Sequence, residues 1–380
     1  MQEIPALREP IAQRVFALLN DRQRRAWEID EPYAVASSTG NVRHHNEDAG
    51  IIVRWRQSDA RERNTDIAIV CDGMGGMQHG RFAAQLAASV FISSLLRQPR
   101  VVPLRGRAQR AVLSAQNAVY HHLRGDGGTT LTAVCIEGLN ICLAHVGDSR
   151  AFEVDGDGRL TQLTRDDTIG AALNRSDPDR LDFNRLIQYI GMQTNDDDAI
   201  LEPQIIVIPT NITRRGFLLT SDGAHSAGRD FLTRIATNAG TAGDLVRRLM
   251  NVADALGGLD NATALFVPDH TIVASTIGPG ISLNLLAATG EAQVWFSPSY
   301  GLDDQRNALS PSAELQKAAQ SPSPPPPSPP RPQPSVEPRT PKRSPSTNKR
   351  STRRKKNDKG DDPAPLPLQV RFSEDGEDDA

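Results

Sequence analysis

Five acidic positions constrain this chain more than anything else in it: Glu47-Asp48, Asp72-Gly73, Asp148, Asp222-Gly223 and Asp260-Asn261. Each sits beside a glycine or an asparagine, and four of the five lie at the end of an apolar run. Carboxylates placed where strands stop and tight turns begin can converge on one point. Gathered in a partly desolvated cleft without a cation they would repel strongly. Hard divalent cations prefer oxygen ligands, so the pattern points to a two-metal hydrolytic centre.

The remaining composition fits one mid-sized globular domain with a long tail. The formal net charge of -3 over 380 residues argues neither for nor against a nucleic-acid partner. Cys71, Cys135 and Cys142 all fall inside apolar, strand-like runs, as reduced buried thiols of a cytoplasmic protein would. The opening MQEIPALREPIAQRVF lacks a basic region followed by an apolar core, and no later run approaches a membrane span. A cytoplasmic location without a membrane span is therefore expected.

Leu7, Ile11, Val15 and Leu18 recur at spacings of three and four, which predicts an amphipathic helix between about Ile4 and Trp27. Residues 1–30 thus read as a helical extension, packed on the main domain or free as a partner-binding arm. From Tyr33, short β-rich runs (YAVASS, IIVRW, DIAIVC, TLTAVCIE, NICLAHV, RAFEV, QIIVIP, GFLLTS, ATALFV) alternate with turns such as DGDGR and with four helical stretches. The helices are placed at Gly80–Leu96, Gln109–Leu123, Phe231–Asn238 and Ala242–Leu256. Adjacent strands with short turns favour antiparallel pairing, and the paired helices favour stacked sheets with helices outside. The domain is bounded at 31–268; residues 269–315 show no sustained period and read as a linker, with Trp295, Phe296 and Tyr300 as a docking segment. Residues 316–380 are proline-rich, then basic, then acidic, and are expected to be disordered.

In TGNVRHHNEDAG, Arg43 precedes Glu47 by four residues, and a guanidinium near acidic ligands is suited to gripping a phosphate dianion. A surface salt bridge is the plainer alternative for that pair. In DIAIVCDGMGGMQHG a buried strand runs into Asp72, and the glycines permit close backbone approach, so that Asp72 and the Gly73 carbonyl can face one ion. Asp148 ends the second strand of a hairpin in GGTTLTAVCIEGLNICLAHVGDSRAF; Asp222 ends one strand and Asp260 begins another. Each taken alone is a common turn aspartate. Taken together they are not so easily explained.

These residues, over approximately 33–268, resemble the metal-dependent PP2C family of protein serine/threonine phosphatases, in the bacterial-type branch. The motifs keep the family's order: an arginine before NED, then DGMGG, GGTT, GDSR, LT followed by an acid, SDG and DN. The resemblance implies an α+β fold, a four-layer α-β-β-α sandwich of two antiparallel sheets flanked by helices. It also implies two Mn²⁺ or Mg²⁺ ions, with Asp72 bridging them, the Gly73 carbonyl on one, and Asp222 and Asp260 on the other. Glu47, with Asp48 behind it, would hold metal-bound waters, Asp148 a weaker third ion, and Arg43 the phosphoryl oxygens.

The implied chemistry is hydrolysis of phosphoserine and phosphothreonine in proteins by a metal-bridged hydroxide, opposing a serine/threonine kinase. No cysteine is followed by an arginine six positions later, so a cysteine-based phosphatase is excluded. A non-catalytic phosphoprotein-binding or scaffold protein is the alternative; the retained Glu47, Asp72, Asp222 and Asp260 weigh against it. Three departures from the family pattern stand out: Met74 and Asp167 occupy places where histidines are common, and Ser226 one where an acid is common. Phosphorylated proteins are the expected partners, with a tail-binding partner left open. The basic run of the tail has no interleaved aromatics, which disfavours nucleic acid.

Overall fold

The computed structural model describes residues 4–20, 24–57, 64–74, 79–173, 181–193, 201–211, 213–270 and 280–296. Two antiparallel sheets carry the fold. The first has six strands in the order β1 (Arg25–Asp30), β2 (Tyr33–Ser38), β11 (Ala262–Pro268), β10 (Arg214–Thr220), β7 (Arg150–Asp155) and β8 (Leu160–Gln162). The second has seven: β13 (Gly290–Phe296), β12 (Ile281–Ala287), β3 (Ala49–Gln57), β4 (Thr65–Cys71), β5 (Leu131–Glu137), β6 (Asn140–Val146) and β9 (Gln204–Ile208). The expected four-layer α-β-β-α sandwich is the fold observed.

The runs are nearly continuous in apolar residues because the central strands are covered on both faces. In β4, Ile67, Ile69 and Cys71 point one way into a core shared with helices α1 (Pro10–Leu19), α2 (Gly80–Arg97) and α3 (Leu104–Leu123). Ala68 and Val70 point the other way, into the layer between the sheets, where they meet Val35, Phe217, Leu219 and Leu265. The outer face of the six-stranded sheet is covered by α6 (Arg229–Thr237) and α7 (Ala242–Ala255), with Leu245 and Leu249 packed near Phe152 and Phe266. At ~25 cal/mol per Å² of apolar surface, three such layers are the main source of cohesion.

In α2 the spacing of Phe82, Leu86, Val90 and either Ser93 or Ser94 marks a single face to lie on a sheet. Leu86, Val90 and Ser93 are buried as the spacing implies, but so is most of the rest of its surface, because α1 and α3 enclose it against the sheet.

Two boundaries are corrected. The helical extension ends at Leu19, and Arg25–Asp30 is a strand whose Ala26 packs between the sheets while Ile29 packs toward α7. Residues 281–296, read as linker, form a hairpin that extends the seven-stranded sheet beyond β3. Ile281, Leu283 and Leu285 of β12 pack against the helices and Leu286 between the sheets, a period of two that is only five residues long in the sequence. Within the expected docking segment, Phe296 lies against Trp55 with ring centroids 6.0 Å apart, and Trp295 is exposed. Tyr300 and the tail, 316–380, fall outside the described residues.

Candidate metal centre

Every predicted site residue lies at one rim of the sandwich, because each follows or precedes a strand end. Asp72 and Gly73 leave β4, and Asp148 joins β6 to β7. Asp222 opens the one-turn helix α5 (Asp222–His225) directly after β10, and Asp260 stands just before β11. Arg43, Glu47 and Asp48 belong to the loop between β2 and β3.

Backbone contacts fix the central pair. The Asp72 amide donates to Thr130 Oγ1 at 2.9 Å, and the Asp72 carbonyl accepts from Thr129 Oγ1 at 2.8 Å and from the Thr130 amide at 2.9 Å. A Cβ on Gly73 would stand 2.5 Å from the backbone of Gly80 and 2.6 Å from the Glu47 carbonyl oxygen. Close approach of three chain segments is thus what requires glycine here. Gly75 and Gly76 lie outside the described residues.

The other acids are held by residues to which the sequence reading gave no such role. Asn261 Oδ1 accepts from the Glu47 amide at 2.9 Å, while its Nδ2 donates to the carbonyls of Thr39 (2.8 Å) and His45 (3.0 Å). Ser221 Oγ donates to Asp48 Oδ2 at 2.8 Å and accepts from the Thr263 amide at 2.9 Å. Asp167 accepts from the Gly147 amide at 2.8 Å and returns its own amide to the Gly147 carbonyl at 2.7 Å, bracing the turn that presents Asp148. Asn261 and Ser221 stand within the DN and SDG motifs, so adjacency to an acid was the available signal. Asp167, one of the departures, keeps a bracing role with a carboxylate. Ser226 turns back onto the Gly223 carbonyl at 2.9 Å, so it adds no carboxylate.

The electrostatics are those of acids crowded out of water. Burial pushes Asp48 up to about 7, with Asp222 and Asp260 adding to the rise against hydrogen bonds from Thr263 and Ser221. Burial likewise pushes Asp148 up to about 7, helped by Asp222 and Asp166. Asp72 is raised well above the carboxylate range by burial and then by Asp48, Asp222 and Asp148. Asp222, within hydrogen-bonding reach of Asp72, is also raised by burial and by Asp260. Glu47 is raised by burial, and Arg43 opposes that rise. Arg43 itself is paired with Asp260, Nη2 to Oδ2 at 2.7 Å.

Among the described residues no group of three His, Cys, Asp or Glu side chains is already arranged to hold a metal ion. Asp48 turns to Ser221 and Asp260 to Arg43 instead. The donor set nevertheless fits hard cations. It is all oxygen, its acids are destabilised by one another, and the buried Asp48 Oδ1 has no hydrogen-bond partner among the described residues.

A family model described as protein phosphatase 2C matches residues 44–260. The chain is 30% identical over 241 residues to the serine/threonine protein phosphatase PstP of Mycobacterium tuberculosis; the match covers 61% of this chain and 44% of that protein. The chain thus spans less than half the length of that relative. It is 28% identical over 246 residues to the serine/threonine phosphatase stp of Listeria welshimeri, covering 60% of this chain and 92% of that one. The crystal structure of the M. tuberculosis serine/threonine phosphatase PstP/Ppp superposes with a TM-score of 0.51 at 26% identity, covering 63% of this chain and 97% of that chain.

Proposed function

The chain belongs to the protein phosphatase 2C family, and from that premise we propose that it hydrolyses phosphoserine and phosphothreonine in proteins, using divalent cations and opposing a serine/threonine kinase. The observation that carries this reading is the set of buried, mutually repelling carboxylates around Asp72 and Asp222 at one rim of the sandwich. The phosphatase names of the Mycobacterium and Listeria relatives support it.

Asp72, the Gly73 carbonyl, Asp222 and Asp260 would hold two Mn²⁺ or Mg²⁺ ions, with Glu47 and Asp48 supporting and Asp148 offered to a weaker third. When bound, such ions supply an acidified water and the positive charge that a phosphate monoester needs as it reacts. Asp260 would give up its pairing with Arg43 on holding a cation, and the guanidinium would then be free to take two phosphoryl oxygens at once. Asn261 and Ser221 keep the Glu47–Asp48 segment aimed at the site. The buried Cys71, Cys135 and Cys142, raised by burial, remain protonated and take no part as nucleophiles.

No helix among the described residues is long and apolar enough to cross a membrane, which is compatible with the cytoplasmic location we assign. The test is phosphate release from a phosphothreonine peptide by the purified protein, with and without Mn²⁺, beside Asp72→Asn. Metal-dependent turnover lost in the variant is expected. A folded, metal-loaded protein that turns over no phosphopeptide would replace this reading with that of a phosphoprotein-binding module.

A further inference from the structure

A cavity of about 440 Å³ adjoins the candidate metal centre and shares Arg43 and Asp48 with it. Part of its wall comes from outside the segment that matches the family, 44–260. Leu19 at the end of α1, Arg24 just before β1 and Thr289 in the β12–β13 turn close its outer side. These pieces are tied together. Thr289 Oγ1 donates to the Leu18 carbonyl at 3.3 Å, Gln85 Nε2 to the Leu19 carbonyl at 2.9 Å, and Arg81 Nη2 to the Asn20 carbonyl at 3.2 Å.

The lining is cationic and polar. Arg24, Arg43 and Arg81 line it beside one acid, Asp48, whose Oδ2 is already taken by Ser221; Arg43 is also paired with Asp260 at the neighbouring centre, so Arg24 and Arg81 are the cations this cavity does not share with that centre. The arginines disfavour a basic side chain and favour an anion, the apolar wall of Leu19, Val42 and Ala287 can take the side chain's carbon stem, and a concave site of this size accommodates a side chain rather than a flat surface.

We propose that this cavity is a second anion subsite. It holds a phosphate or carboxylate side chain of the same substrate polypeptide whose phosphorylated residue lies at the metal centre. The inference rests on the phosphatase reading and adds a substrate class to it: segments in which a phosphoserine or phosphothreonine has a second anionic residue nearby. Arg24 is the contact to test. Its side chain is exposed, and its carbonyl keeps the 2.8 Å bond from the Thr39 amide whatever side chain it carries.

The experiment compares phosphothreonine peptides carrying a second phosphothreonine, a glutamate or an alanine at one to four positions on either side. Both kcat/KM with Mn²⁺ and equilibrium binding to the full chain are measured, for wild type and Arg24→Glu. At one spacing or more the doubly anionic peptide should be favoured roughly tenfold, the scale of one charged hydrogen bond, and Arg24→Glu should remove that preference. Turnover of the alanine peptide should not change. The glutamate arm separates a carboxylate-accepting site from one that requires phosphate. Equal binding and equal kcat/KM at every spacing, or a preference that survives Arg24→Glu, overturns the subsite. Absence of turnover on all peptides overturns the phosphatase reading alone, because the binding ratios still decide the subsite.

Discussion

Arg43 and Asp260, 217 residues apart in sequence, are joined by a 2.7 Å ion pair at the edge of the carboxylate cluster. One is the group expected to grip phosphate and the other a group expected to hold a cation, so each now occupies the other's partner. Arg43→Ala is therefore expected to lower kcat/KM for a phosphothreonine peptide by roughly tenfold to a hundredfold, the loss of a bidentate charged contact. Mn²⁺ affinity, measured by calorimetry, should not weaken, since Asp260 loses only a competitor. Parallel loss of metal affinity would show that the arginine organises the centre instead.

Asn261 joins the start of β11 to the Glu47 loop through three hydrogen bonds. Asn261→Ala leaves the Thr39 and His45 carbonyls and the Glu47 amide without this partner. A loss of about 2–3 kcal/mol in urea unfolding is expected, with Mn²⁺ affinity reduced tenfold or more. Unchanged metal affinity would rule out a positioning role for Asn261.

Asp148 rises from its ordinary 3.8 to about 7 through burial and its acidic neighbours. The folded state then holds this proton more tightly than the unfolded chain does. Stability is fully present below pH 4 and is lost as pH rises toward and through 7. In EDTA at pH 8, Asp148→Asn should melt several degrees above wild type, and the gap should shrink steadily between pH 7 and pH 4. Comparison with wild type at each pH cancels the opposite influence of buried His145 and His225, both lowered by burial. A gap independent of pH would show that the carboxylate is not the source.

Away from the site, Arg56 is paired with Asp66 between the sheets, and Tyr33 Oη donates to Asp66 at 2.7 Å. Arg56→Ala leaves a buried carboxylate without its cation, and a loss of about 3–5 kcal/mol is expected in denaturant unfolding. A loss below 1 kcal/mol would mean that water reaches Asp66 in the variant.

What the sequence disclosed follows what the strands bury. Runs such as DIAIVC and ATALFV were legible because continuous apolar character survives burial on both faces, and Asp72 and Asp260 could be placed because they flank those runs. β12 was missed although Ile281, Leu283 and Leu285 alternate with Ser282 and Asn284, because the alternation spans only five residues before Leu286 and sits in a stretch with no other period. Trp27 was read into a helix because the i, i+3, i+4 signal of α1 was extended past Leu19, where it stops. The roles of Asp167 and Asn261 were hidden more deeply. Both stood out in their motifs, but their roles lie in hydrogen bonds to backbone atoms 20 and 214 residues away, and the motifs alone did not name those partners.

The acids come from both layers of the sandwich: Asp72 leaves the seven-stranded sheet, Asp222 and Asp260 flank strands of the six-stranded one, and Asp148 lies on the crossing between them. A cation shared by Asp72 and Asp222 or Asp260 would act as a rivet through two plates. Sliding one sheet over the other would pull its ligands apart, so occupancy and alignment should rise and fall together. At a hundred times its dissociation constant such an ion adds about 2.7 kcal/mol to the resistance against that shear. The candidate metal centre would then also be a fastener.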